Sequence, residues 1–289
     1  MISTIIVGGL ILGVIYSLVA LGYSLVYGIL KFINFAHGDV YMVGAFVGLY
    51  IASTFTASPW ILIPLTAVVT GLLGFLIEKL AYKPLRHASR LNSMITAIAV
   101  GTILQGVVLK TAGPQTRGFP SLFPEGSINL GFVQISLMQL WLLVIVAVLL
   151  AVLYWLVMKT NFGISMRAAS ENINQLNLVG INSNQVISLT FVIGAALGGV
   201  AGVLAGSYFT AIFPYMGATG GIKAFVAAII GGIGNLPGAV VGGLIMGISE
   251  VVFAAYFPSY RDAVAFLLLI LILLYRPQGL FGEKGEERV

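Results

Sequence analysis

The chain has few charged residues and no cysteine. Asp, Glu, Lys and Arg make up only 8% of its 289 residues, whereas soluble domains average about 25%. The absence of cysteine excludes disulfides and thiolate metal sites. Two histidines remain, His37 and His87, and they stand in different loops without a third ligand. We therefore predict that the chain binds no metal.

The usual motifs of catalysis are also missing. The sequence contains no G-x-S-x-G elbow, no H-E-x-x-H pair and no Walker A lysine loop. Gly232-x-Gly234 is not a dinucleotide fingerprint, because Pro237 stands three residues after Gly234. The sequence therefore predicts that the chain is not an enzyme. Any energy from ATP has to come from another polypeptide.

Apolar residues are abundant instead. They make up 59% of the chain, against roughly 45–50% in soluble domains. The sequence therefore predicts an all-α polytopic membrane protein that forms one domain over residues 1–289. The net charge of +5 then reflects cytoplasmic loops rather than nucleic-acid binding. The N-terminus lacks a basic n-region and a cleavage site, so its apolar run predicts a first span and not a signal peptide.

Eight apolar segments are long enough to cross a membrane, which takes about 20 residues. They lie near 4–29, 39–57, 60–81, 93–112, 137–158, 186–208, 238–257 and 262–275.

Lysine and arginine in short loops set the orientation. The loop from Lys79 to Arg90, the stretch from Lys159 to Arg167 and the tail from Arg276 to Arg288 each indicate a cytoplasmic segment. Two cytoplasmic segments are separated by an even number of crossings, so the three spans between the second segment and the tail need a fourth. We predict that residues 222–233 supply it as a short broken-helix crossing. The N-terminus then lies outside, and Lys31 and the C-terminus lie in the cytoplasm.

Glycine and proline surround that short segment. Apolar pieces of this kind at membrane depth tend to line a cavity, because their freed backbone groups need water or protein partners. The alternative is a tightly packed broken helix without ligand contact. The residues that mark the predicted break before the segment are Pro214, Gly217, Gly220 and Gly221.

A second glycine pattern runs in four-residue steps. Small residues let helix backbones approach closely in lipid. The ladder therefore predicts either packing within one subunit or an interface between subunits or moving bundles. It consists of Gly194, Gly198, Gly202 and Gly206.

Asp39, Lys223 and Glu250 are the ionisable residues within spans, where such groups face water or a partner. We predict that Glu250 pairs with Lys223 or with Arg261, or stays neutral in a polar pocket, and that it is structural rather than a proton carrier. For Asp39, together with His37, we predict a place at the cytoplasmic turn between the first two spans. There the two residues would cap the second span or meet a partner protein.

A polar stretch from Lys159 to Gln185 interrupts the apolar spans. Apolar residues recur within it at three- and four-residue steps, which predicts a short amphipathic helix over 163–181. Ser165 is the predicted N-cap and Gly180 the predicted C-terminal stop. We expect the apolar stripe of this helix to dock on another surface. It consists of Met166, Ala169, Ile173, Leu176 and Gly180. Turned away from it are Arg167, Ser170, Glu171, Asn174 and Asn177.

Motifs in a fixed order run along the whole chain. They are INFAHGDVYM at 33–42, KPLR at 83–86, RAASE at 167–171, LVGIN at 178–182, GIKAFVAAIIGGIGNLPGA at 221–239 and RPQGLFG at 276–282. In order and spacing they resemble the H-type permease subunit of the Liv (leucine/isoleucine/valine) branched-chain amino acid ABC importers.

The resemblance implies an importer in the bacterial inner membrane. Its partners would be a second related permease in a heterodimer, two cytoplasmic ATPases that hold ATP and magnesium, and an external solute-binding protein. A short cytoplasmic helix of each permease would sit in a groove on an ATPase, and the 163–181 helix is the candidate here. Arg167 stands where many ABC importers have the acidic residue of an EAA motif. The implied coupling residues are Gly163, Met166, Arg167, Ala168, Ala169, Glu171, Ile173, Leu176 and Gly180.

The resemblance also implies alternating access along a path that holds substrate weakly, because the binding protein carries the selectivity. Candidates for lining the path are Asn34, Tyr41, Thr96, Gln105, Gly217, Gly220, Gly221 and Lys223. A permease for urea, short amides or other neutral amino acids is the close alternative. A stand-alone secondary transporter or channel, and a membrane enzyme, are alternatives of a different class.

Overall fold

A computed structural model describes residues 2–86, 88–129, 134–173 and 175–282. His87, Asn174, Lys284 and Arg288 lie outside the described residues. The helices are α1 (Ile2–Leu30), α2 (His37–Thr54), α3 (Pro59–Ile77), α4 (Arg90–Ala112), α5 (Leu137–Lys159), α6 (Asn161–Glu171), α7 (Ser183–Phe209), α8 (Met216–Gly231), α9 (Leu236–Tyr256) and α10 (Ala263–Tyr275). The strands are β1 (Arg117–Gly118), β2 (Ser127–Asn129), β3 (Gln134–Ser136) and β4 (Ala211–Ile212).

Six helices in the described part of the chain are long and apolar enough to cross a membrane, namely α1, α3, α4, α5, α7 and α9. The sequence predicted eight. The difference lies in α2, which begins with the polar run His37-Gly38-Asp39, and in α10. With 13 residues, α10 extends roughly 20 Å. The mostly helical chain with six such helices is a polytopic membrane protein.

Glycine contacts define the packing directions of the long helices. Gly8 of α1 faces Tyr208, whereas Gly22 faces Gly194, so α1 runs antiparallel to α7. Gly9 contacts Ile248 and Gly13 contacts Leu244, so α1 is also antiparallel to α9. All four glycines of the ladder contact this chain itself: Gly194 meets Gly22, Gly198 meets His37, Gly202 meets the Tyr41 carbonyl and Gly206 meets Phe119. The ladder therefore packs helices within one chain.

The loops that the sequence identified as cytoplasmic gather at one end of the bundle. Lys31, Glu171 and Gln278 line one crevice there, and Arg86 hydrogen-bonds Asn184 across the start of α7. We call this the basic end. At the opposite end β1 pairs antiparallel with β4, which joins the segment after α4 to the segment after α7. We call it the strand end.

Two shorter helices, α2 and α8, begin inside the bundle. His37, the first residue of α2, packs against Gly198 in the middle of α7. The first turns of α2 and α8 lie in backbone contact, because a Cβ on Gly38 would lie 2.5 Å from the Gly217 carbonyl oxygen. From that meeting point α2 runs toward the strand end alongside α7. Helix α8 runs toward the basic end, where Gly231 contacts Gly238.

The predicted break at Gly217 to Lys223 is wrong. Gly217, Gly220 and Gly221 lie within α8, which is one helix of 16 residues. These glycines serve close packing, since Gly221 contacts Gly38 and Gly220 lies against the ring of Tyr41. Interruptions fall before and after the helix, at 210–215 and at 232–235. At about 24 Å, α8 is shorter than the hydrocarbon core of roughly 30 Å.

The 163–181 segment is not one helix. Helix α6 begins earlier, with Thr160 as N-cap instead of Ser165, and ends at Glu171. Asn172 is extended, and a 3-10 turn follows at Leu176–Val179. Gly180 ends that turn in the left-handed region with φ 77°. Asparagine side chains compete with helical hydrogen bonding, which accounts for the interruption at Asn172.

Four of the five residues of the predicted docking stripe face the inside of the chain, whereas Gly180 is exposed. Met166, Ala169 and Leu176 are buried, and Ile173 is half-buried. Gly163 is also buried, and a Cβ there would lie 2.0 Å from the Val157 carbonyl oxygen, so it permits the tight turn from α5 into α6. The stripe therefore anchors α6 to its own bundle. Exposed instead are Ile164, Arg167, Ala168, Glu171, Leu178 and Val179.

Candidate functional site

A buried ionic network lies in the half of the bundle nearer the strand end. Glu250 of α9 is fully buried, and three groups donate to its carboxylate. These donors are Lys223 Nζ of α8 at 2.7 Å, Arg261 Nε at 2.6 Å and the Tyr16 hydroxyl of α1 at 2.7 Å. The predicted pairing of Glu250 is confirmed, and both predicted cations take part.

Asp262 extends this network to the surface. Lys223 Nζ also lies 2.6 Å from Asp262 Oδ1, and the Asp262 side chain is 72% exposed. The hydrogen bond from Lys223 lowers the pKa of Asp262 below its ordinary value, so the carboxylate is charged at neutral pH. Two cations and two anions make the network neutral overall. A neutral, hydrogen-bonded set is the arrangement that buried charges require.

A cavity of about 360 Å³ opens beside the network. Its charged lining residues are Lys223, Arg261 and Asp262, and Tyr16 and Tyr41 line it as well. Its apolar lining residues are Leu12, Ile15, Phe209, Ala211, Phe213 and Met216. Of the predicted path residues, Tyr41, Gly220 and Lys223 meet here. The cavity combines a small apolar volume with charges of both signs.

Asp39 occupies a second polar position, where α2 and α8 begin. Its Oδ1 accepts a hydrogen bond of 2.8 Å from Gln105 Nε2 of α4. A Cβ on Gly217 would lie 2.7 Å from the same oxygen, and one on Gly101 would lie 2.3 Å from Oδ2. Asp39 stands in the first turn of α2, where a helix favours negative charge. Of the predicted path residues, Gln105 and Gly217 lie at this position.

The predicted burial of the Asp39 charge is confirmed, but the predicted place of His37 and Asp39 at the cytoplasmic turn is wrong, because both lie inside the bundle. Ala36 is the N-cap of α2 and no side chain caps that helix. His37 instead packs edge-on to Tyr23, with ring centroids 4.9 Å apart. The chain 32–36 turns back into the bundle, which sequence periodicity cannot reveal. Of the remaining path candidates, Gly221 contacts Gly38 beside Asp39, whereas Asn34 and Thr96 belong to neither polar position. Asn34 accepts a 2.5 Å hydrogen bond from Tyr82, and Thr96 is half-buried on α4.

One buried group was missed by the sequence reasoning. Glu78 is 1% exposed, is paired with Arg86 and accepts a 2.7 Å hydrogen bond from Ser188 of α7. It begins a π-helical turn, Glu78–Tyr82, which continues α3 and precedes a 3-10 turn at Lys83–Leu85. Such turns shift the helical phase, so the spacing of Glu78 and Arg86 gives no signal of their contact. The group joins α3 to α7 at the basic end.

Among the residues that the structure describes, no three His, Asp or Glu side chains could hold a metal ion together.

Comparison with known proteins places these features in a family. The family model described as "Branched-chain amino acid transport system / permease component" matches residues 5–273. BraD, a high-affinity branched-chain amino acid transport system permease protein of Pseudomonas aeruginosa, is 42% identical over 98% of this chain and 96% of its own length. LivH of Escherichia coli, with the same description, is 41% identical over 97% and 96%.

A more distant relative is the probable branched-chain amino acid transport permease protein LivH of Methanocaldococcus jannaschii. It is 33% identical over 95% of this chain and 91% of its own length. No solved structure matches the chain. The family match covers nearly the whole sequence, so the chain belongs to the family of permease components of branched-chain amino acid transport systems.

Proposed function

We propose that the chain is the transmembrane permease subunit of an ATP-driven importer of branched-chain amino acids in the inner membrane. One observation carries the proposal: relatives at 40–42% identity over nearly their whole length are named high-affinity branched-chain amino acid permeases. ATP and magnesium bind to partner subunits, because the sequence holds no nucleotide motif of its own.

The assembly that fits this role has four further kinds of contact. A second, related permease pairs with this chain, two cytoplasmic ATPases bind below, and a solute-binding protein delivers substrate from outside; lipid surrounds the exposed helices. The basic end faces the cytoplasm, since lysine and arginine concentrate on that side of membrane proteins. The chain then crosses nine times, with α2, α8 and α10 as the short crossings, and starts outside.

The exposed surface of α6 and the following turn is the proposed contact with an ATPase. Arg167, Ala168 and Glu171 from the original set of coupling residues are exposed there. Leu178 and Val179 are 84% and 71% exposed, in a segment with no lipid to cover them if this end is cytoplasmic. Met166, Ala169, Ile173 and Leu176 hold the surface in place from behind, so that a push on α6 reaches α1, α5 and α7.

Substrate passes by alternating access, in which ATP binding and hydrolysis switch the path between its two openings. The meeting point of α2 and α8 is the proposed centre of the movement. Backbones touch there through glycines, and Asp39 links both helices to Gln105 of α4. Both helices begin inside the bundle, so their common start is where the path can change shape.

Reconstitution tests the proposal. The chain should be produced with its genomic neighbours, and the purified complex placed in liposomes that enclose ATP. The binding protein is added outside, where it serves the complexes whose ATPases face the interior. L-leucine uptake should require ATP, magnesium and the binding protein. Uptake of urea or an amide in place of leucine would assign another substrate. Uptake by this chain alone, driven by a proton or sodium gradient, would replace the importer with a secondary transporter.

A further inference from the structure

We propose that the cavity at the strand end is a binding site for the zwitterionic form of a neutral, apolar amino acid, on its way into the path. The inference rests on the proposed function and adds to it a site, a ligand charge state and the groups that recognise it. Its ligand groups are Arg261 and Lys223 for the carboxylate, and Asp262 for the ammonium group.

The size of the cavity fits such a ligand. Its volume of about 360 Å³ lies at the lower end of the roughly 300–1,000 Å³ that small-molecule sites occupy. Apolar side chains, among them Ile15, Phe213 and Met216, line the cavity together with the charged groups. An aliphatic side chain would lie against these apolar residues while the amino and carboxyl groups meet the charged ones. The mixed lining therefore matches the two kinds of group in one molecule.

The charges of the site match a zwitterion and no ion. Lys223, Arg261, Glu250 and Asp262 sum to zero, and a bound zwitterion leaves that sum unchanged. A bound anion or cation would leave one net charge in the bundle, which is costly at membrane depth. The site therefore distinguishes neutral amino acids from acidic and basic ones by charge balance, whichever aliphatic side chain they carry.

The atoms that would bind the ligand are accessible. Arg261 reaches Glu250 through Nε, and in the described part of the chain its two Nη atoms donate to no other group. They are free to hold a carboxylate in the bidentate geometry that guanidinium favours. The Asp262 carboxylate is exposed at the rim, where it accepts from Lys223. An incoming ammonium group can share that carboxylate, and Lys223 stays bound to Glu250 behind it.

This construction also makes binding weak. Lys223, Arg261 and Asp262 each already have an ionic partner within the chain, so the ligand gains less from them than it would from unpaired charges. The net gain is therefore small. Weak binding suits a path that must release what it takes up. Glu250, which is fully buried and does not line the cavity, positions Lys223 and Arg261.

Cysteine protection in the assembled transporter tests the proposal, because the chain has no natural cysteine. Thr219, exposed on the cavity wall, is replaced as Thr219→Cys, and a polar thiol reagent is applied from the strand end. L-leucine should slow the modification about tenfold at ten times its dissociation constant, since only the unoccupied fraction reacts. Isoamylamine and isocaproate, which lack the carboxyl or the amino group, should give no protection at the same concentration.

Two further variants complete the test. Ser53→Cys, exposed at the strand end outside this cavity, should react at one rate with and without leucine. Adding Asp262→Asn to Thr219→Cys should abolish the protection while the complex still forms with its ATPase. Equal labelling rates with and without leucine would overturn the proposal, as would equal protection by isoamylamine or no labelling in any nucleotide state.

ATP-driven leucine uptake in that same preparation would show that the proposed function stands even if the binding site is wrong. A preparation without uptake and without a bound ATPase would refute the proposed function itself.

Discussion

At the residue scale, Glu250 holds together parts of the chain that are far apart in sequence. Its carboxylate accepts from α1, from α8 and from the turn before α10. Removing it leaves the buried Lys223 with only the exposed Asp262 as an ionic partner. Deleting one member of a buried ion pair typically costs about 3–5 kcal/mol. Glu250→Ala should therefore lower the melting temperature of the purified complex strongly, as measured by thermal unfolding in nanodiscs.

Control substitutions show whether the loss of stability is specific to Glu250. Glu125→Ala removes an exposed carboxylate and should change stability by less than about 0.5 kcal/mol. Tyr16→Phe removes one hydrogen bond to Glu250 and should cost about 1–3 kcal/mol, less than Glu250→Ala. If Glu250→Ala and Glu125→Ala unfold at the same temperature, the network contributes nothing to stability.

The sequence predicted the partners of Glu250 but not those of Asp39. Charges within spans are so few that Lys223 and Arg261 were the obvious candidates for Glu250. Asp39, in contrast, bonds Gln105 on another helix. That contact depends on a chain that turns back into the bundle before α2, and no local spacing encodes the turn. Both residues were recognised as functional candidates, but their contact could come only from the three-dimensional packing.

At the scale of elements, the meeting of α2 and α8 depends on glycine. A Cβ on Gly38 would lie 2.5 Å from the Gly217 carbonyl oxygen and 2.9 Å from the Gly221 Cα, and backbone atoms cannot move aside easily. Gly38→Ala should therefore destabilise the protein by about 1–3 kcal/mol, the usual cost of overpacking. The measurement is the melting temperature together with leucine uptake, which should fall as well.

Gly106→Ala is the control for that substitution. Gly106 is also helical, on α4, and nothing lies within 4 Å of the position of its Cβ. Alanine there should stabilise the helix by roughly 0.5–1 kcal/mol. A Gly38→Ala protein as stable as Gly106→Ala would show that the two helix starts are not in contact.

Two elements show that a sequence pattern can correctly indicate buried residues while the backbone predicted from it is wrong. The spacing of Met166, Ala169 and Leu176 correctly indicated a buried stripe, although the backbone changes from α-helix to a 3-10 turn between them. Glycine in α8 indicated a break because glycine is a poor helix former. Tertiary packing overrides that preference here, since α2 occupies the space that side chains would need. Periodicity indicates which face of a segment is buried, but it does not indicate which other part of the protein covers that face.

At the scale of the whole molecule, the distribution of basic residues predicts the orientation in the membrane. Ser53 lies at the strand end, and Ala88 lies in the loop at the basic end. In intact cells an impermeant thiol reagent should label Ser53→Cys and leave Ala88→Cys unmodified. Ala88→Cys should react only after the membrane is permeabilised. The reverse pattern would invert the topology and, with it, the side from which substrate enters.

The central claim is that the exposed surface of α6 and its following turn couples this permease to an ATPase. Ala169→Glu would not test it cleanly, because Ala169 is buried and a charge there disturbs the fold. Leu178→Glu changes a residue that is 84% exposed, so the chain should fold as before. Ile128→Glu, on β2 at the strand end, is the matched change of an exposed apolar residue far from this surface.

The most direct measurement is copurification of the ATPase with the tagged chain, expressed with its genomic neighbours. The account predicts a stoichiometric ATPase with the unaltered chain and with Ile128→Glu. With Leu178→Glu it predicts a chain that is folded, by its melting temperature, but free of ATPase. An ATPase retained by Leu178→Glu would contradict the assigned coupling surface. An unaltered chain that purifies alone and moves leucine without ATP would contradict the importer itself.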